Sequence, residues 1–167
     1  MSLATPIAES LKLTDFIMQV VTKDLTDDVA RRQARGDEGA SIAWVIGHLL
    51  HYRHELMKIL GSPEDDPFKE FSGSATDGMD YPALEELTKS WAEVSQRVLA
   101  VVSRATDQQI EAALPADGGP HAERRVLDTL IFFTWHEAYH MGQLGTLRKQ
   151  FGLTATSDLV MAAAGKA

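Results

Sequence analysis

Cysteine is absent from the chain. That excludes disulfides, thiolate metal ligands and a cysteine nucleophile, so any thiol chemistry must use a thiol carried in by a substrate. Positive charge is scarce: 16 Lys and Arg stand against 24 Asp and Glu, a net charge of −8. A surface that tracks phosphates needs clustered basic residues. The doublets Arg31-Arg32 and Arg124-Arg125 read instead as solvated helix ends, and nucleic acid is not an expected partner. Long apolar runs are missing too. No stretch approaches the roughly 20 residues of a membrane span. The N-terminus lacks the basic-then-apolar pattern of a signal peptide. No membrane partner is expected, and the cytoplasm is the expected compartment. The alternation of a half-buried strand is also lacking over any useful length.

What is present suits one domain over residues 1–167, with 44% hydrophobic and 24% charged residues. Four segments carry apolar residues at a period near 3.6, the mark of a helix turning one face to a core. The first opens at Thr5-Pro6, a cap-type residue and a proline suited to the first turn. Its stripe is Ile7, Leu11, Thr14, Met18, Val21 and Leu25. The second runs from about Ser41 to Leu60, stops at Gly61, and carries Ile42, Val45, Leu49, Tyr52, Leu56 and Ile59. The third follows Tyr81-Pro82 with Leu84, Leu87, Trp91, Val94, Val98 and Val101. The fourth runs from about Ala122 to Gln150, with Gly152 as its stop. Its stripe is Val126, Leu130, Phe133, Glu137, His140, Leu144 and Leu147.

Four amphipathic helices in a small all-α domain predict a four-helix bundle. Residues 61–81, with Pro67, Ser72-Gly73-Ser74 and Asp77-Gly78, form a connection far longer than bundle helices usually need. Extended chain covers about 3.3 Å per residue, and a 20-residue helix is about 30 Å long. The connection can therefore run back along a helix, leaving helices two and three parallel through a long crossover. Phe68, Phe71 and Tyr81 predict a loop that packs rather than one that floats.

The chemistry concentrates in Trp135-His136-Glu137-Ala138-Tyr139-His140-Met141-Gly142-Gln143. His136 and His140 are four apart and project from one side of a helix. Two imidazoles at this spacing can reach one ion at about 2.0–2.1 Å, and they are costly to bury without a metal or a specific network. The same residues match the zinc-protease pattern His-Glu-x-x-His. Beyond Met141, however, there is no His, no Glu and one Asp, so the usual downstream ligand is missing. The third ligand must come from earlier in the chain. The second helix offers His48, His51 and His54. His48 follows Gly47, which would let another helix approach closely, and sits four residues after Trp44. His48 is the choice, with His51 the competitor. His51 and His54 otherwise read as solvated or half-buried, and His121, in the Gly118-Gly119-Pro120 loop, as exposed. Gln143 shares the face of the histidine pair and is assigned a catalytic supporting or substrate-contact role, with plain packing as the alternative. Glu137 is a candidate base or histidine-orienting group, with a structural hydrogen bond as the alternative. Glu55 is a weaker candidate of the same kind, and Tyr139 is expected to pack.

Gly47-His48-Leu49-Leu50, followed by His136-Glu137-Ala138-Tyr139-His140-Met141-Gly142-Gln143-Leu144, resembles the DinB superfamily. The similarity extends over nearly the whole chain. It implies an up-down-down-up bundle with a divalent metal held between helices by His48, His136 and His140, and frequent homodimers. It further implies a transferase or isomerase using a low-molecular-weight thiol such as mycothiol or bacillithiol. Met141 stands where the family commonly has a basic residue, which removes a basis for anion binding beside the metal.

Three neutral imidazoles would leave a divalent ion its full charge and open positions, favouring a bound thiolate over a thiol. The expected cofactor is a divalent metal, zinc or nickel first and iron or manganese next, with a low-molecular-weight thiol as cosubstrate and a small molecule as substrate. A thiol-dependent S-transferase or isomerase is the leading expectation. A hydrolase working through ionised water, or a non-catalytic metal-stabilised dimerisation or binding module, are the alternatives.

Overall fold

The computed structural model describes residues 2–36, 38–75, 79–114 and 124–165. They are all-helical, with no strand among them. The elements are α1 (Ala4–Thr22), α2 (Asp27–Arg31), α3 (Ile42–Ile59), the 3-10 turn η1 (Lys69–Phe71), α4 (Leu84–Arg104), α5 (Asp107–Glu111), α6 (Val126–Gln150) and α7 (Thr156–Ala163). None is long and apolar enough to cross a membrane.

The four expected stripes are four of these helices, except that Leu25 lies past the end of α1 and is half-buried. Every stripe position of α6 is buried, including Glu137 and His140. In α4 the stripe closes on Val102, while Val101 is half-buried. Helix α3 differs from the others: it is buried almost all round, so its stripe is not a stripe but most of its surface. The reason is its neighbours. α3 packs on α4 and α6, and α2 and η1 close over it from outside. α1 likewise packs on α4 and α6, so that two helices bridge the same pair.

Helix ends follow the sequence with two corrections. α1 starts at Ala4, with Leu3 at the N-cap and no side-chain cap; Thr5 and Pro6 lie inside the first turn, where a missing N–H costs no helical bond. α6 starts at Val126, and Ala122 lies outside the described residues. Ser41 caps α3 by accepting from the Trp44 N–H at 3.0 Å. Gly61 and Gly152 follow α3 and α6 with φ of +81° and +75°, the left-handed conformation that ends a helix.

Polar ties run between distant segments. Asp107 accepts from the Leu3 N–H and the Ser2 hydroxyl, both at 2.8 Å. Asp27, at the start of α2, accepts from the Leu84 N–H at 2.8 Å and so caps α4. Thr14 meets Glu137, and further along both helices Arg148 donates to the Val21 carbonyl and to Asp24. Arg148 also donates to the Thr154 carbonyl at 3.0 Å, tying the chain beyond α6 to the end of α1. The Ala-rich tail forms α7, which lies against α1 with no fully buried residue.

The connection from α3 to α4 packs. Phe68, Phe71 and Tyr81 are buried, and Phe71 stacks on Tyr81 with centroids 6.0 Å apart. Gly47 faces this connection and not a helix: a Cβ there would stand 2.8 Å from the Phe71 ring. The expected helix approach at Gly47 is therefore replaced by an aromatic ring on the loop.

A candidate metal centre between α3 and α6

His48, His136 and His140 converge. The His48 and His136 Nε2 atoms are 3.2 Å apart, and those of His136 and His140 are 3.0 Å apart. His48 and His140 are buried, and His136 is half-buried. α6 supplies two rings from successive turns of one face, and α3 the third across the helix–helix contact. Among the described residues this is the one group of three or more His, Cys, Asp or Glu side chains close enough to share an ion.

The tautomers follow from the outer contacts. His48 Nδ1 donates to the Phe71 carbonyl at 2.6 Å, and His140 Nδ1 donates to Gln143 Oε1 at 2.7 Å. Their Nε2 atoms therefore carry lone pairs. His136 Nε2 faces both and can donate to only one of them, while its Nδ1 is buried with no partner among the described residues. Lone pairs facing each other repel unless something positive sits among them. Two donors about 2.0–2.1 Å from one ion stand about 2.9 Å apart at a right angle and about 3.3 Å apart at a tetrahedral one. The observed separations lie inside that range, so the residues fit a divalent cation.

Burial pushes His48 down to about 4; the Phe71 carbonyl opposes that, and His140 and His51 add to it. Burial, then His140 and His48, pushes His136 down to about 4. Burial also lowers His140, against the contact with Gln143. All three are neutral at pH 7 and present metal-binding nitrogens. Aromatic rings enclose them. Trp44 stacks on His48 at 4.4 Å, Tyr52 lies against His48 and His136, and Phe132 stacks on His136 at 5.6 Å.

The other singled-out residues are dispersed. Gln143 touches His140 and so orients a ring of the cluster. Of the roles open to Glu137, the geometry supports the structural one. Its two oxygens accept from Arg53 Nε at 2.7 Å and Nη2 at 2.9 Å, and from the Thr14 hydroxyl at 2.5 Å. It faces the interior, not the imidazoles. Glu55 pairs with Lys58 on the surface of α3. Tyr139, expected to pack, is 59% exposed because it lies on the outer side of α6, stacked on Trp135. His51 and His54, expected to be solvated or half-buried, are buried by the α3–α4 connection. His51 Nδ1 donates to Asp66 Oδ2 at 2.6 Å, and neither ring nitrogen of His54 has a partner among the described residues. His121 lies outside the described residues.

Sequence reasoning missed Arg53. It is 1% exposed, it lies 3.8 Å over the Trp91 ring, and it joins Glu137 to Asp15, at 2.6 Å, and to Ser95. Burial works against its charge, but Glu137 and Asp15 hold its pKa above the ordinary value. The available signal was three charges on faces otherwise apolar: Asp15 beside Thr14, Arg53 among apolar residues of α3, and Glu137 on the α6 stripe.

No curated protein matches the chain. The family model described as the DinB superfamily matches residues 17–144, more than half the chain. The matched span contains His48, His136, His140 and Gln143, so the paired elements that build the histidine cluster are those the family model covers. The chain belongs to the DinB superfamily.

Proposed function

We propose that the protein is a metal-dependent enzyme in which His48, His136 and His140 hold one divalent cation that activates a low-molecular-weight thiol for S-transfer or isomerisation. The observation that carries this reading is the convergence of three neutral imidazole nitrogens within bonding reach of one ion. A bound divalent cation would supply Lewis acidity and favour thiolate over thiol. The chain does the rest. Phe71 and Gln143 hold two rings in the tautomer that points Nε2 inward, and Trp44, Tyr52 and Phe132 wall the site with aromatic surface. With no cysteine of its own, the protein leaves the sulfur to the cosubstrate. Such thiols stay reduced in the cytoplasm, where this reading places the protein.

The scaffold we infer is a four-helix bundle running up-down-down-up. It is supported by the order of contacts along the helices. Thr14 and Asp24 meet Glu137 and Arg148 in the same sense, so α1 and α6 run alike. Ser2 and Asp27 meet Asp107 and Leu84 in the opposite sense, so α1 and α4 oppose. Trp44 meets His140 while Tyr52, two turns on, meets Phe133, so α3 and α6 oppose; since α6 runs with α1 and α4 against it, α3 and α4 run alike.

The test is metal analysis of protein purified without chelator or nickel resin, followed by thiol addition to the cobalt-substituted protein. One ion per chain and new thiolate absorption are expected. Turnover of esters or amides with no thiol present would replace the transferase reading with a hydrolytic one.

A further inference from the structure

We infer that Asp66, His51 and Gly47 are positioning residues that clamp the α3–α4 connection onto α3 and thereby fix the tautomer and aim of His48; this rests on the metal reading above. The connection leaves α3 at Gly61 and returns across it. Asp66 grips α3 through Oδ2, which accepts from His51 Nδ1 at 2.6 Å. Its Oδ1 accepts from the Phe68 N–H at 2.9 Å and starts the turn that follows. In that turn the Phe71 N–H donates to the Phe68 carbonyl at 3.0 Å. The Phe71 ring, fully buried, drops into the space left by the absent side chain of Gly47. With the ring seated there, the Phe71 carbonyl meets His48 Nδ1 at 2.6 Å. Tyr52, which touches both His48 and His136, reaches the Ser72 carbonyl at 3.2 Å and closes the same segment.

Each link has a distinct job. Asp66 and His51 fix where the segment lies, Gly47 fixes how close it comes, and the carbonyl fixes which nitrogen of His48 keeps its proton. A carbonyl that holds a ligand histidine raises its basicity and removes the rotational freedom the metal would otherwise have to freeze. His51 thus belongs to the site at one remove: it holds the strap that holds a ligand.

The experiment uses the full chain as wild type, Asp66→Ala and Gly47→Ala. Ile110→Ala, which removes the one buried side chain of α5, a helix packed on α6, serves as a control for simple loss of stability. Zinc affinity is measured by competition with a chromophoric chelator, and the His48 ring tautomer by nitrogen NMR on metal-free protein. Asp66→Ala and Gly47→Ala are expected to weaken zinc binding by about 10- to 100-fold and to lose the Nδ1–H signature of His48, while Ile110→Ala keeps both. Unchanged tautomer and affinity in the two strap variants, or equal losses in Ile110→Ala, would overturn the inference. Failure of the wild type to bind zinc would sink the metal reading alone, because the tautomer measurement needs no metal and still decides the strap. Should Gly47→Ala fail to fold, Asp66→Ala carries the same comparison.

Discussion

His48 and His136 sit in the folded chain with pKa values of about 4, against an ordinary 6.5. The sign of the linkage follows. A depressed histidine contributes fully above its unfolded value, and that contribution is lost as pH falls toward the folded value. Metal-free protein should therefore lose stability between pH 6.5 and about 4, as seen in denaturant melts along a pH series. Cation loading should move the loss to lower pH, since proton and metal compete for the same nitrogens. His48→Ala, His136→Ala and His140→Ala should each abolish stoichiometric metal retention in elemental analysis. Full occupancy in all three would end the three-histidine assignment. His54 gives a contrasting forecast. Burial lowers its pKa and it has no partner among the described residues, so protonating it opposes folding. His54→Leu should raise the melting temperature, and by more at pH 5 than at pH 8. The sequence showed His136 and His140 as a pair because a spacing of four puts both rings on one helix face; it left His48 in competition with His51, because spacing along α3 does not say which ring crosses to α6. It did not show His54 as buried, because a loop whose path depends on tertiary packing covers that face.

Among the elements, the decisive contact is the meeting of α1, α3, α4 and α6 around one guanidinium. Arg53 joins Asp15, Ser95 and Glu137, one from each neighbouring helix. Removing one partner of a buried charge network leaves the others uncompensated and costs about 3–5 kcal/mol. Arg53→Ala should lower the unfolding free energy by that order in urea melts. Glu137→Gln keeps the shape and one acceptor, so it should destabilise while leaving metal stoichiometry intact. A lost ion, or a selective fall in kcat with unchanged stability, would return Glu137 to the reaction itself. Helix positions were readable in the sequence because Ile7, Leu11 and Met18, or Leu130, Phe133 and Leu144, repeat at the helical period. Helix α3 was only half readable, since a helix covered on nearly every side carries no single stripe. The short helices α2 and α5 are single turns with too few residues to show a period.

For the molecule as a whole, several large apolar side chains remain exposed. Leu13 and Phe16 on α1, and Ile131, Phe132, Trp135 and Tyr139 on α6, are exposed on two helices that pack together. Exposed apolar side chains of this size mark a candidate interaction surface, and the expected homodimer is tested there. Sedimentation should show a homodimer, and Trp135→Glu should shift it to monomer; a monomeric wild type would remove the expectation. The sequence announced a packed crossover through Phe68, Phe71 and Tyr81. Its purpose was hidden because the Phe71 contact with His48 is made by a backbone carbonyl, and side-chain identity does not encode where a carbonyl points. The centre's two halves also lie far apart along the chain, with His136 88 positions after His48. During synthesis the first half leaves the ribosome long before the second exists. On the proposed metal reading, a nascent chain that stops before His136 lacks two of the three imidazoles, so a product truncated there would be left empty.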